Sequence, residues 1–246
     1  MQSAFGAGFL WGTPVNGAPV MFAALQSCSM DVSFDQKTMY GQSAFALEMA
    51  RGKGKIDFKA AVGRIDPVLF NAIFWNQGLS SGQVRTAVAE PATPSEAGGV
   101  GTYVAVNGAA FRVDLGVYDS AHGRFLTRLG SGTPAEGQYT VNPANGAYTF
   151  SSADIAPNLK VYYTYGSAST GSTISVSNPV MDAGPVFRAD LVQSFRGRQS
   201  VLTAWACQSF KLSMPLKQDD FTLPEISFSA LDDGTGAVLS HAVDAA

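Results

Sequence analysis

The 246 residues allow one large domain or two small ones; charged types at 14%, against roughly 25% in soluble domains, and apolar types at an ordinary 46% place the deficit in surface charge. Some of that surface is therefore expected to lie under other chains. Sixteen Lys and Arg against nineteen Asp and Glu give a net charge of -3, which argues against a basic nucleic-acid-binding face, and two cysteines with two distant histidines exclude a disulfide framework or a structural zinc site.

Residues 1 to 30 carry no charge, yet Gly6, Gly8, Gly12, Pro14, Asn16, Gly17 and Pro19 interrupt every apolar run. Neither a signal peptide nor a membrane span reads that way, and the uncharged stretch from Val161 to Met181 is too rich in Ser, Thr, Gly and Asn to be a span. The expectation is a soluble protein made without export, with no membrane insertion and with Cys28 and Cys207 as free thiols.

Strands should dominate. In Met30–Asp35, Met30, Val32 and Phe34 face one way and Asp31, Ser33 and Asp35 the other. Phe45, Leu47 and Met49 alternate with Glu48, and Ile56, Phe58, Ala60 and Val62 alternate with Lys55, Asp57 and Lys59. Arg51-Gly-Lys-Gly54 reads as a hairpin turn between those two runs, and Gln36 to Ser43 as the loop before them. The spacing predicts a helix over Ile65–Trp75, capped by Asp66, with Pro67 in its first turn and Gly78 ending it, packed on the apolar side of the sheet.

Beyond Gly82, Glu90–Gly99 reads as an exposed loop. Short strands follow at Phe111–Tyr118, Gln138–Val141, Ala147–Phe150, Lys160–Tyr165 and Ser172–Val176, with turns at Ala121–Gly123, Asn145–Gly146 and Gly166–Gly171. They form a small β-sandwich, residues 99–185, inserted into a core made of residues 1–98 and 186–246. The core resumes with strands at Val186–Phe195 and Ser200–Met214 around a tight Arg196-Gly-Arg198 turn.

Chemistry-bearing motifs are missing. No phosphate-binding loop or H-E-x-x-H occurs, and the one G-x-S-x-G match, Gly78–Gly82, follows the helix instead of joining a strand to a helix. Gly6-Ala-Gly8 and Gly98-Gly99-Val-Gly101 open no helix. Asp219-Asp220 and Asp232-Asp233 lack calcium-loop spacing, and His122 and His241 have no orienting partner in the sequence. No catalytic, metal-binding or cofactor-binding residue is nominated, and the expectation is a protein that is not an enzyme.

Gly8-Phe-Leu-Trp-Gly-Thr-Pro14, Leu25–Asp35, Lys37–Gly41 and Ala50–Ala60, taken in order with Cys207–Ala230, resemble the tail tube (major tail) proteins of long non-contractile-tailed bacteriophages. The last stretch holds a K-x-[DE]-[DE]-F-x-x-P-[DE]-F-like turn, with Ile226 where that pattern has an aromatic residue. The resemblance spans roughly the first 75 and last 60 residues, within element boundaries that shift by a few positions.

It implies a mainly β subunit, a β-sandwich or curved-sheet tail tube fold with one flanking α-helix and a β-rich insertion. Such subunits assemble into hexameric rings that form a β-barrel and stack into a tube. Its implied partners are further copies of itself, a tape measure protein, tail terminator and distal tail proteins, and genomic DNA in transit without specific binding. Its place would be the virion tail, after assembly in the host cytoplasm. Head-to-tail contacts that close in one direction and repeat in the other give rings and filaments.

On that pattern the polar strand faces line the channel, with Asp31, Ser33, Asp35, Glu48, Lys55, Asp57, Lys59, Arg188 and Asp190 as lumen candidates. Three cations among five carboxylates repel phosphate mildly, as a conduit requires; a plain solvated sheet face is the alternative. Met39 and Tyr40 are ring-stacking candidates in the 36–43 loop. The segments at either end read as extended arms reaching neighbouring rings. A different class of function is a decoration or tail-tip adhesin whose insertion binds a host-surface glycan through Tyr118, Tyr139, Tyr148, Tyr162, Tyr163 and Tyr165.

Overall fold

A computed structural model describes residues 6, 8–22, 24–64, 66–155, 158–178, 181 and 184–244. The chain is mainly β, with 61% of residues in strands and one short helix. In chain order the elements are β1 Phe9–Pro14, β2 Val20–Met21, β3 Leu25–Tyr40, β4 Ala46–Val62, α1 Pro67–Phe70, β5 Leu79–Ala92, β6 Ser95–Ala97, β7 Val100–Val104, β8 Phe111–Asp119, β9 Arg124–Phe125, β10 Thr127–Arg128, β11 Gln138–Asn142, β12 Ala147–Ser151, β13 Leu159–Ile174, β14 Val186–Phe195, β15 Arg198–Ser213, β16 Glu225–Leu231 and β17 Leu239–Val243. They fall into two compact units, Met1–Leu79 with Ile174–Ala246, and Ser80–Thr173. The inserted unit thus begins and ends earlier than residues 99–185, because the long strand β5 pairs with β13 inside it. The N-terminal arm expected to reach a neighbouring ring lies partly outside the described residues.

The first unit is one open sheet ordered β2-β1-β14-β15-β16-β4-β3, with β17 added along the first half of β15. Antiparallel pairing puts Phe58, Ala60, Phe187, Ala189, Phe228 and Cys207 on one face, where they are buried with Leu69, Phe70 and Ile73 from the helical segment. Phe228 stacks flat on Phe58 at 4.9 Å and meets Phe187 edge-on at 5.4 Å. The helix begins as its sequence dictates: Asp66 accepts hydrogen bonds from the N–H groups of Val68 and Leu69, and Pro67 fills the first position. Its expected start at Ile65 lies outside the described residues. Only Pro67–Phe70 is α-helical, the next turn, Asn71–Trp75, is a π-turn, and left-handed Asn76, not Gly78, ends it.

Two expected turns are strand instead. β4 runs straight through Arg51–Gly54, and the hairpin turns at residues 41–45, so most of the supposed 36–43 loop belongs to β3. Gly54 and Gly52 serve close cross-strand approach: a Cβ on Gly54 would lie 2.8 Å from the Phe34 ring and one on Gly52 3.0 Å from the Asp35 Cβ. β14 and β15 are joined as expected through Arg196 and Gly197, both at positive φ, the geometry of a two-residue hairpin.

The second unit has a five-stranded sheet, β10-β11-β12-β7-β6, and a four-stranded sheet, β5-β13-β8-β9. Tyr139, Tyr148 and Phe150 from the first share one core with Val117, Leu159, Val161 and Tyr163 from the second, so the two sheets pack face to face. β13 continues through the expected Gly166–Gly171 turn. Glu90–Gly99 is also no loop. β5 reaches Ala92, and the Glu90 carboxylate accepts hydrogen bonds from the Tyr103 and Tyr163 hydroxyls and the Val106 N–H.

Candidate functional site

The face of the first sheet opposite the helix is polar, and register decides what stands on it. Asp31 faces Asp57, Ser33 faces Lys55 and Ser29 faces Lys59 across β3 and β4, while Ser229 and Ser227 on β16 face Asp57 and Lys59. Arg188 and Asp190 alternate with the buried Phe187 and Ala189 and the half-buried Leu191 on β14, on the same side. Seven of the nine lumen candidates therefore share one face of one sheet. Strand β3 alternates without a bulge from Ser27 to Tyr40, the irregularities opposite it falling in β4, so Asp35 continues that face and Glu48, paired with Met39, joins it.

Each basic lumen candidate on this face is held by a carboxylate. Lys55 pairs with Asp57 at 2.8 Å, Lys59 with Glu225 at 3.0 Å and Arg188 with Asp190 at 2.7 Å. The Arg188 guanidinium also lies over the Trp205 ring, and Asp190 accepts from Thr203. Hydrogen bonds from Lys55 and Ser229 hold the Asp57 carboxyl below the usual carboxylate range. Glu225, Ser227, Ser229 and Thr203 complete the face. The alternation of Glu225, Ser227 and Ser229 with Ile226, Phe228 and Ala230 carried that signal in the sequence. With Lys37, Lys211 and Glu225 added on the same face, five cations meet six carboxylates, and three of the five cations are paired, which gives a phosphate backbone little to grip.

β16 pairs with β4 only over Ile56–Ala61, so from Ser33 and Lys55 outward β3 and β4 pair with each other alone among the described residues. The free part of this ribbon, Ser33–Tyr40 on one strand, is about 26 Å long at ~3.3 Å per residue. Phe34, Met39, Tyr40, Phe45, Leu47 and Met49 are all exposed on it. Tyr40, Phe34 and Met49 continue the apolar side of the sheet, whereas Met39 stands with Glu48 on the polar side, so the two stacking candidates point in opposite directions.

The serines of Gly78–Gly82 lie in β5, with Ser80 donating to the Thr173 carbonyl. Asp232 and Asp233 cap their own Gly-rich turn through N–H groups at 234 to 237. His122 does have a partner: its Nδ1 meets buried Asp119 at 2.5 Å, while His241 bonds Ser200. Cys28 and Cys207 are free, and burial pushes their thiols up to about 11 and about 12. Of the six tyrosines considered for glycan stacking, Tyr139, Tyr148 and Tyr163 are core residues, and Tyr118 and Tyr162 are only partly exposed beside Phe125. Among the described residues no group of three or more His, Cys, Asp or Glu could hold a metal ion, and no helix is long and apolar enough to cross a membrane.

No model of a known protein family matches the chain, and no curated protein matches it.

Proposed function

We propose that the protein is a structural, non-enzymatic virion subunit, the tail tube protein of a long non-contractile-tailed bacteriophage. Copies form rings, sixfold on the pattern of the family it resembles, and the rings stack into a tube that encloses the tape measure protein during assembly and passes genomic DNA at ejection. Terminator and distal tail proteins cap the tube, and no cofactor takes part.

The observation that carries this reading is the ribbon. An isolated two-stranded hairpin is marginal in water, and one exposing six large apolar side chains needs a protein surface around it. Two further features support it. Among the described residues the main path of the sheet ends in β3 on one side and β2 on the other, open edges that strand addition between copies would close into a barrel. Its polar face holds three cation–carboxylate pairs and a small excess of carboxylates, suited to a wall past which a polyanion slides. Sedimentation velocity over a hundredfold concentration range with negative-stain microscopy tests the reading: hollow stacked rings are expected, and a monomer at every concentration would count against it.

A second reading, a glycan-binding decoration protein, rests on Phe125, which is exposed on the insertion and flanked by Tyr118 at 5.1 Å and Tyr162 at 6.1 Å. Reproducible glycan-array signals lost on Phe125→Ala would favour it.

A further inference from the structure

The segment 214–224, between β15 and β16, exposes three large apolar side chains, of which Leu216 and Phe221, each 85% accessible, stand out furthest beside Met214. Its position is set by pairing: Ser213 faces Glu225, Glu225 faces Ala61, and the Pro224 carbonyl accepts the Val62 N–H. The segment therefore sits at the base of β4, while the ribbon leaves from the other end of the same strand. From Ala61 to Met49 is twelve residues, roughly 40 Å at ~3.3 Å per residue. Phe221 thus lies far from the ribbon of its own chain.

The ribbon carries a matching depression of about 420 Å³, lined by Phe34, Asp35, Gln36, Met49, Ala50 and Arg51. The Arg51 guanidinium lies 4.8 Å above the Phe34 ring, and Gln36 donates to the Met49 sulfur, which hold the lining side chains in place. Charge is complementary as well. Lys55 is taken by Asp57 and Asp220 by Lys217, which leaves Lys37, Arg51 and Lys53 against Asp35 and Glu48 in residues 34–55 and Asp219 in residues 214–224.

We propose that Phe221 and Leu216 of one copy seat in the Phe34–Met49–Arg51 depression on the ribbon of a second copy, with Asp219 set against Arg51 and Lys53. The two halves of this contact stand at opposite ends of one sheet. The contact is therefore head-to-tail, and unless a rotation closes it, it repeats without limit along the strand direction. This rests on the tube reading and gives its axial contact a named knob and socket.

Disulfide trapping separates the two. A chain carrying Met49→Cys and Phe221→Cys, mildly oxidised after concentration, is expected to give a covalent ladder of dimers, trimers and higher species, because a bridge forms only when the Cα atoms come within about 7 Å. Mixed single variants are expected to stop at the heterodimer, and the unsubstituted chain, whose thiols are buried or half-buried, to give no ladder. Homodimers of Met49→Cys alone would show ribbon against ribbon, and of Phe221→Cys alone loop against loop; either overturns the proposal. Tubes seen by microscopy without a ladder sink the knob and socket but leave the tube, whereas a ladder from closed rings alone sinks the tube and keeps the contact. A monomer without cross-links sinks both. Leu216→Ala with Phe221→Ala, both exposed in the subunit and so harmless to its fold, is expected to raise the concentration needed for assembly about 100-fold, and an unchanged threshold would contradict the assignment.

Discussion

The inserted unit is organised around Asp114, whose side chain is 3% exposed. It accepts hydrogen bonds from the hydroxyls of Tyr139 at 2.7 Å and Tyr148 at 3.0 Å and from the Gly116 N–H, and the Arg128 guanidinium stands 3.7 Å away. Asp114→Ala removes three charge-assisted bonds and strands two tyrosine hydroxyls in a core where their rings are almost fully buried. With ~1–3 kcal/mol for each buried group left unsatisfied, the expected loss is about 4 kcal/mol. At a slope of ~1.5 kcal/mol/M for a unit of this size, the urea midpoint should fall by about 2.5 M. The assay is selective. All three tryptophans, Trp11, Trp75 and Trp205, lie in the first unit, while every tyrosine except Tyr40 lies in the second. Tyrosine near-ultraviolet dichroism should shift and tryptophan fluorescence should not. Because replacing the tyrosine donors along with their acceptor leaves no buried hydroxyl unsatisfied, Asp114→Ala combined with Tyr139→Phe and Tyr148→Phe should recover most of the loss. A single variant costing under about 1 kcal/mol, or a triple variant no better than the single, would refute the reasoning.

Phe228→Ala, which empties the centre of the Phe58–Phe187–Phe22 cluster, should cost about 3–5 kcal/mol in the first unit and move the tryptophan transition. Gly108→Ala should destabilise the insertion by roughly 1–3 kcal/mol, since its Cβ would meet the Asn145 carbonyl oxygen at 2.3 Å with only backbone to yield; thermal unfolding checks it. Burial raises the Asp119 carboxyl, but its hydrogen bonds to His122 and to the N–H groups of Ala121 and His122 win and hold it below the usual range. Its contribution is thus complete above the unfolded carboxylate range and is lost as pH falls through the depressed folded value, so Asp119→Asn should flatten the acid limb of stability below about pH 4. Iodoacetamide at pH 8 should label Cys28 and Cys207 slowly in the native chain and rapidly in urea, as mass spectrometry would show, because burial disfavours both thiolates.

The alternation of Met30–Asp35 and of Lys55–Val62 was enough to put Asp31, Ser33, Lys55, Asp57 and Lys59 on one face, since a half-buried strand allows only one assignment of its two sides. Glycine misled the reading at Arg51–Gly54 and again at Gly166–Gly171. In both places it admits a neighbouring side chain: the Phe34 ring at Gly54, the Arg112 guanidinium at Gly166 and Gln83 at Gly171. Local sequence gives the same residue type for a turn and for such an approach. Glu90 reads as loop by its Pro-rich surroundings, and its burial depends on a tyrosine 73 positions away. The ribbon's reach was hidden for the same reason, because where β16 stops pairing with β4 is a tertiary fact.

If the polar sheet face turns inward in a polymer built through the ribbon, a cryo-electron microscopy reconstruction of the concentrated protein will show a hollow tube whose lumen is lined by Asp31, Ser33, Lys55, Asp57 and Lys59, with each ribbon seated on the next ring. A tube with that face outward, or discrete particles in which the ribbon touches no other copy, would contradict it.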